Sequence, residues 1–203
     1  MTEGCTLCPR ECGAHREKGE TGYCRMPVKP HGARAALHDW EEPCISGTRG
    51  SGAVFFSGCT LRCVFCQNHE IAAGIVGKPI TNMRLSEIFL ELQMQGAHNI
   101  NLVTAGHFLP SVTAALKRAK ELGLQIPVVY NSSGYEKPES LRCLEGLVDV
   151  WLPDYKYESP SLAERYSHAP DYPIWAKRAV EEMVRQAGVP VFDAEGMMQR
   201  GVI

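Results

Sequence analysis

The sequence predicts an α/β protein built on a parallel sheet. Strand-like apolar runs recur from residue 53 onward, helical patterns lie between them, and Gly- or Pro-bearing turns separate the two. Strands alternating with helices form right-handed βαβ units, which pair their strands in parallel. The runs occupy residues 53–57, 99–104, 126–131 and 147–152.

The first run, Ala53-Val54-Phe55-Phe56, follows the turn-prone stretch 46–52. Leu85, Ile88, Phe89 and Leu92 then fall on one helical face at i, i+3, i+4 and i+7. The second run leads to a helix carrying Val112, Ala115, Leu116 and Ala119, which stops near Gly123. A shorter helix follows Pro138, with Cys143 read as a small core residue beside Leu141 and Leu144. After the fourth run, Ser159-Pro160 reads as an N-cap with proline at the first helical position. The last helix carries Val180, Met183, Val184 and Ala187 and ends at Gly188. Residues 201–203 read as a fifth strand just beginning, so the array is expected to be incomplete at its C-terminus.

Three regions are expected. Residues 1–30 are rich in cysteine, glycine and charge and lack apolar periodicity, so they need a metal or a neighbour to order them. Residues 31–50 read as a connector, and residues 51–203 as the core. The net charge of −2, with no basic run, argues against nucleic acid and anionic membranes as partners. No stretch approaches the ~20 apolar residues of a membrane span, and the first residues lack a secretory pattern. Nine cysteines without such a signal argue against a disulfide framework and for metal binding in a reducing, cytoplasmic compartment.

The chemistry concentrates at Cys59, Cys63 and Cys66, in Gly58-Cys-Thr-Leu-Arg-Cys-Val-Phe-Cys-Gln-Asn68, directly after the first strand. Thiolates on a short loop suit a soft metal, above all an iron–sulfur cluster. A cubane has four irons, so three local cysteines leave one iron open to a further ligand. A structural zinc knuckle is the plain alternative, but no fourth ligand follows within the loop, although His69 is close.

This Cys-x3-Cys-x2-Cys spacing, with Phe65 before the last cysteine, resembles the radical S-adenosylmethionine (radical SAM) superfamily. The resemblance implies an open, partial (β/α) barrel. It also implies a [4Fe–4S] cluster held by Cys59, Cys63 and Cys66, with SAM on the open iron and Phe65 flanking the adenine. The reduced cluster then cleaves SAM to a 5′-deoxyadenosyl radical that abstracts hydrogen from a substrate, an oxidoreductase chemistry carried by the cofactors.

Ligand sites in parallel α/β architectures lie at the carboxyl ends of strands. After the second strand, Ala105-Gly106-His107 stands where the family often has Gly-Gly-Glu-Pro. The glutamate is missing, but Gly106 still permits close backbone approach, and His107 is either a SAM contact or a loop histidine. After the third strand, Asn131-Ser132-Ser-Gly134 resembles the Asp-Thr-Asn-Gly run of glycyl-radical-enzyme activases of the pyruvate formate-lyase activating type, with a charge dropped; a plain turn also uses such residues. After the fourth, Asp154-Tyr-Lys156 resembles their Asp-x-Lys pair, whose lysine could take the SAM carboxylate.

The amino-terminal set Cys5, Cys8, Cys12 and Cys24 offers four thiols for a second metal, either zinc or a closed cluster. The Cys5-x2-Cys8-Pro-Arg-x-Cys12 opening is similar to that of an uncharacterised iron–sulfur branch of the same superfamily. The function expected is therefore a radical SAM enzyme acting on an unidentified hydrogen donor, which the resemblance implies is a protein glycine. Its partner would be a low-potential electron donor, flavodoxin or ferredoxin. The alternatives are an iron–sulfur electron-transfer module with closed clusters, and an inactive, truncated radical SAM fragment.

Overall fold

The computed structural model describes residues 4–203; Met1, Thr2 and Glu3, at the start of the expected metal-binding segment, lie outside them. In chain order the elements are β1 (His31–His38), α1 (Pro43–Ser46), β2 (Ser51–Phe56), α2 (His69–Ala72), β3 (Lys78–Pro79), α3 (Asn82–Met94), β4 (Ile100–Val103) and α4 (Leu109–Glu121). There follow β5 (Val128–Ser132), α5 (Pro138–Leu141), β6 (Val150–Pro153), α6 (Pro160–Ser167), α7 (Tyr172–Ala187), β7 (Val191–Phe192) and β8 (Met198–Val202).

The strands form one open sheet in the order β3-β1-β2-β4-β5-β6-β8-β7. β2, β4, β5, β6 and β8 run parallel, while β1, β3 and β7 add antiparallel edges. The parallel array expected from the βαβ cadence is present, and a fifth parallel strand, β8, pairs with β6 through Gly201 and Val202, but it begins at Met198, ahead of the residue 201 expected from the sequence.

Register explains which residues can reach a ligand. Val54, Leu102, Tyr130, Trp151 and Val202 form one row across the five parallel strands. This row joins the main core beneath α3, α4 and α7. The opposite face carries Ala53, Asn101, Val129, Val150 and Gly201 in register. On that side Ile45 of α1 packs against Val129 and Val150.

Three expectations need correction. Residues 31–50, read as a connector, contain β1, whose residues pair antiparallel with β2 from Gly32–Phe56 to His38–Ser51. The buried face of α7 is Tyr172, Ala176, Ala179, Met183 and Ala187, while Val184 is exposed. Alanine on that stripe lets the helix pack closely on the sheet, while Val180 is half-buried and Val184 points outward. Cys143 is also exposed, in a 3-10 turn after α5, where it accepts from Thr113 Oγ1 at 3.3 Å.

Candidate iron–sulfur site

The cysteine loop starts where β2 ends. Ser57 carbonyl accepts a hydrogen bond from His107 Nε2 at 2.7 Å, and Gly58 N donates to Ile71 O at 2.8 Å. Gly58 has φ +81°, and a Cβ there would lie 2.4 Å from Met26 Cγ and 2.5 Å from the Cys24 carbonyl. Only glycine satisfies both the left-handed backbone and the close approach. Gly58→Ala is therefore expected to cost at least about 1 kcal/mol, because an L-side chain is strained there even before the clash. A lower denaturation midpoint and faster iron loss to a chelator would show it.

The three thiols are free and lie within this loop. Leu61 N and Arg62 N both point at Cys59 Sγ, at 3.4 and 3.5 Å. Burial pushes the Cys59 thiol up, and these two N–H groups oppose that shift. Cys66 N closes a turn onto Cys63 O at 3.1 Å, and Val64 N donates to Tyr166 O at 2.9 Å. Phe65 stays 56% exposed, meeting Tyr157 and Tyr166 edge-on at 6.1 and 6.2 Å. Beneath it Leu61, Tyr135, Tyr157 and Tyr172 make a separate aromatic core that seats Cys59 and Cys63.

The amino-terminal segment locks this loop in place. Arg10 Nε donates to Thr60 O at 2.9 Å and Nη2 to Ser167 O at 2.7 Å, while Nη1 reaches His168 O. Its guanidinium lies 3.8 Å over the Tyr23 ring, and Arg62 donates to the Tyr23 carbonyl from 3.4 Å. One arginine thus ties the loop to the carboxyl end of α6, where the helix dipole favours a cation.

The strand-end residues separate into two groups. Asn131 lies on the face opposite the helix-covered core and Ser132 on the helix-covered face, because neighbours on a strand point oppositely. Ser132 Oγ is committed, donating to Glu136 Oε1 at 3.0 Å and accepting from Gly134 N at 3.0 Å. Asp154 and Lys156 form an ion pair just past β6. Lys156 N donates to Tyr172 Oη at 2.8 Å, which in turn donates to Ser133 O at 2.7 Å, so the turn is fixed. His107 is buried with its Nε2 proton on Ser57 O, and burial holds its pKa down at about 4. It is a neutral prop under the cysteine loop.

Glu136 was not legible as part of this region. Its carboxylate is 1% exposed, accepts from Tyr130 Oη at 3.2 Å as well as from Ser132, and leaves Oε2 without a partner among the described residues. A Cβ on Gly106 would fall 2.3 Å from that oxygen, so the glycine makes room for it. Burial pushes its pKa up to about 7. A single acid in a Gly- and Ser-rich turn gives no sequence sign of burial.

The donor set fits an iron–sulfur cluster. Backbone N–H groups directed at a cysteine sulfur favour the thiolate form and tune such clusters. Among the described residues no three His, Cys, Asp or Glu side chains close round a single ion. A cubane does not need this, since each thiolate binds its own iron. A cavity of about 600 Å³, lined by Cys44, His98 and Met197 among others, opens at the amino ends of the strands, away from this loop.

Fold and site together define an iron–sulfur protein: an open, mostly parallel α/β sheet carrying its thiolates at the strands' carboxyl ends. The chain belongs to the 4Fe-4S single cluster domain family, whose model matches residues 46–159. It is also 32% identical over 177 residues to an uncharacterized protein of Methanocaldococcus jannaschii, covering 84% of this chain and 50% of the relative. The chain therefore spans about half the length of that relative. No helix among the described residues is long and apolar enough to cross a membrane.

Proposed function

We propose that this chain is a radical SAM enzyme, with residues 51–203 as its core, an open partial (β/α) barrel. The observation that carries the reading is the placement of three cysteines, and no fourth within the loop, at the carboxyl end of the first parallel strand. When bound, the cluster would supply the electron that cleaves SAM to a 5′-deoxyadenosyl radical.

The chain's own residues would bind and orient. Cys59, Cys63 and Cys66 hold the cluster, and Arg10 and His107 hold their loop. Lys156, oriented by Asp154, offers an ammonium for the SAM carboxylate. Phe65, open on one face and flanked by Tyr157 and Tyr166, offers a surface for the adenine ring. Asn131, on the face opposite the helices, offers an amide to the remaining polar groups. Gly106 makes room for the Glu136 carboxylate rather than for a ligand, Ser132 acts through Glu136, and His107 acts through Ser57. A low-potential donor of the flavodoxin or ferredoxin class and a reducing, cytoplasmic setting suit this chemistry. The substrate class favoured by the resemblance is a polypeptide glycine.

The test is anaerobic reconstitution with iron and sulfide, reduction, addition of SAM, and measurement of 5′-deoxyadenosine. We expect formation above the no-enzyme control and its loss in Cys63→Ala. A fully loaded cluster that neither binds nor cleaves SAM would overturn this reading in favour of an electron-transfer module or an inactive fragment.

A further inference from the structure

Cys5, Cys8, Cys12 and Cys24 play no part in the site above, yet the structure gathers them. Cys8 and Cys24 are buried, while Cys12 is exposed. Two tight turns present the buried pair: Glu11 N donates to Cys8 O at 3.0 Å, and Arg25 N donates to Gly22 O at 2.9 Å. Both turns are closed by left-handed residues that are not glycine, Glu11 at φ +40° and Arg25 at φ +60°. Such residues are uncommon and mark backbone held by its surroundings. Cys5 is joined to Gly13 and Ala14 by paired backbone hydrogen bonds of 3.1 and 3.0 Å. The sulfurs lie within electrostatic reach of one another, Cys5 and Cys24 acting on Cys8, and Cys5 and Cys12 acting on Cys24. Gly22 leaves space for one of them, since a Cβ there would sit 2.3 Å from Cys12 Sγ.

A second, independent observation is a buried cation. Arg16 is 6% exposed; its Nε and Nη2 donate to the Met26 and Pro27 carbonyls at 3.0 and 2.7 Å, and Nη1 faces Cys5 Sγ at 3.9 Å. Among the described residues no carboxylate forms an ion pair with it. A guanidinium withdrawn from water without a counter-charge is costly. A cubane held by four thiolates carries a net charge of about −2 in its oxidised form, which would supply one.

We propose that Cys5, Cys8, Cys12 and Cys24 ligate a second, closed iron–sulfur cluster whose negative charge is balanced by Arg16. Zinc held by the same four thiolates would carry the same net charge, and the iron and zinc contents of the reconstituted chain separate the two. A cubane spreads the same thiolates over four irons. With every iron held by the protein, this centre exchanges electrons and takes no substrate.

The decisive variant replaces Cys59, Cys63 and Cys66 together by alanine, which leaves the amino-terminal set intact. After anaerobic reconstitution it should retain about four irons and four sulfides per chain, against about eight of each in the wild type. Its reduced EPR signal should be unchanged by SAM. Cys12→Ser, at the exposed position, should lower the wild-type iron content by about half, and it keeps the question answerable if the triple variant fails to fold. Zinc without iron in a folded triple variant, or unchanged iron in Cys12→Ser, overturns the proposal. Because these readouts are bound metal, they stand apart from whether the other site cleaves SAM.

Discussion

Arg10→Ala is expected to loosen the cysteine loop and the amino-terminal segment together. The side chain satisfies carbonyls of Thr60, Ser167 and His168 and stacks on Tyr23, so truncation removes charge-assisted bonds to two separate elements. Bonds of this kind contribute more than neutral ones, and a loss on the order of 3 kcal/mol follows. Arg10→Lys should recover little of it, because a single ammonium cannot span the loop and the end of α6 as a planar fork does. Denaturant unfolding of the reduced, metal-free chain measures the stability, and iron release to a chelator measures the hold on the cluster. Wild-type values for both in Arg10→Ala would show that the segment merely rests on the loop.

Glu136→Gln should change how stability depends on pH. The carboxyl pKa is raised by burial to about 7 in the folded chain, against the ordinary value of 4.5. Between those values the folded state holds a proton that the unfolded state has released. Wild-type stability is therefore highest below the lower value and falls as pH rises toward the upper one, by about 3 kcal/mol in all. Glutamine keeps an acceptor for Tyr130 and Ser132 and carries no charge to desolvate. The variant should lose this fall and exceed the wild type at pH 8. Parallel pH profiles would mean that Glu136 is hydrated or paired in solution.

The parts legible in the sequence were those governed by local periodicity. Buried parallel strands such as Ile100–Val103 and Val128–Ser132 are short apolar runs, and α4 buries the stripe Val112, Ala115, Leu116 and Ala119 that the spacing marks. β1 was missed because His31–His38 mixes small, basic and histidine residues without clean alternation. Its strand conformation comes from pairing with β2, a tertiary effect. On α7 Met183 and Ala187 are buried as the spacing marks, but Val184 is exposed, because the buried stripe continues through Ala176 and Ala179 and alanine is a weak apolar signal.

The site shows the same division. Three cysteines on a loop are readable as chemistry, since their spacing is the signal. Arg10 and His107 work through backbone carbonyls of distant residues, a role that no spacing encodes. Ser132 looked like a ligand-facing hydroxyl until the register turned it toward Glu136. Asp154 and Lys156 stayed together because two residues separated by one on an extended chain share a side.

The most direct test of the account is low-temperature EPR of the reduced, reconstituted chain before and after SAM is added. An open iron at the Cys59, Cys63 and Cys66 cluster predicts a changed signal, with the change lost in Cys63→Ala. Superimposable spectra from fully loaded protein would contradict it.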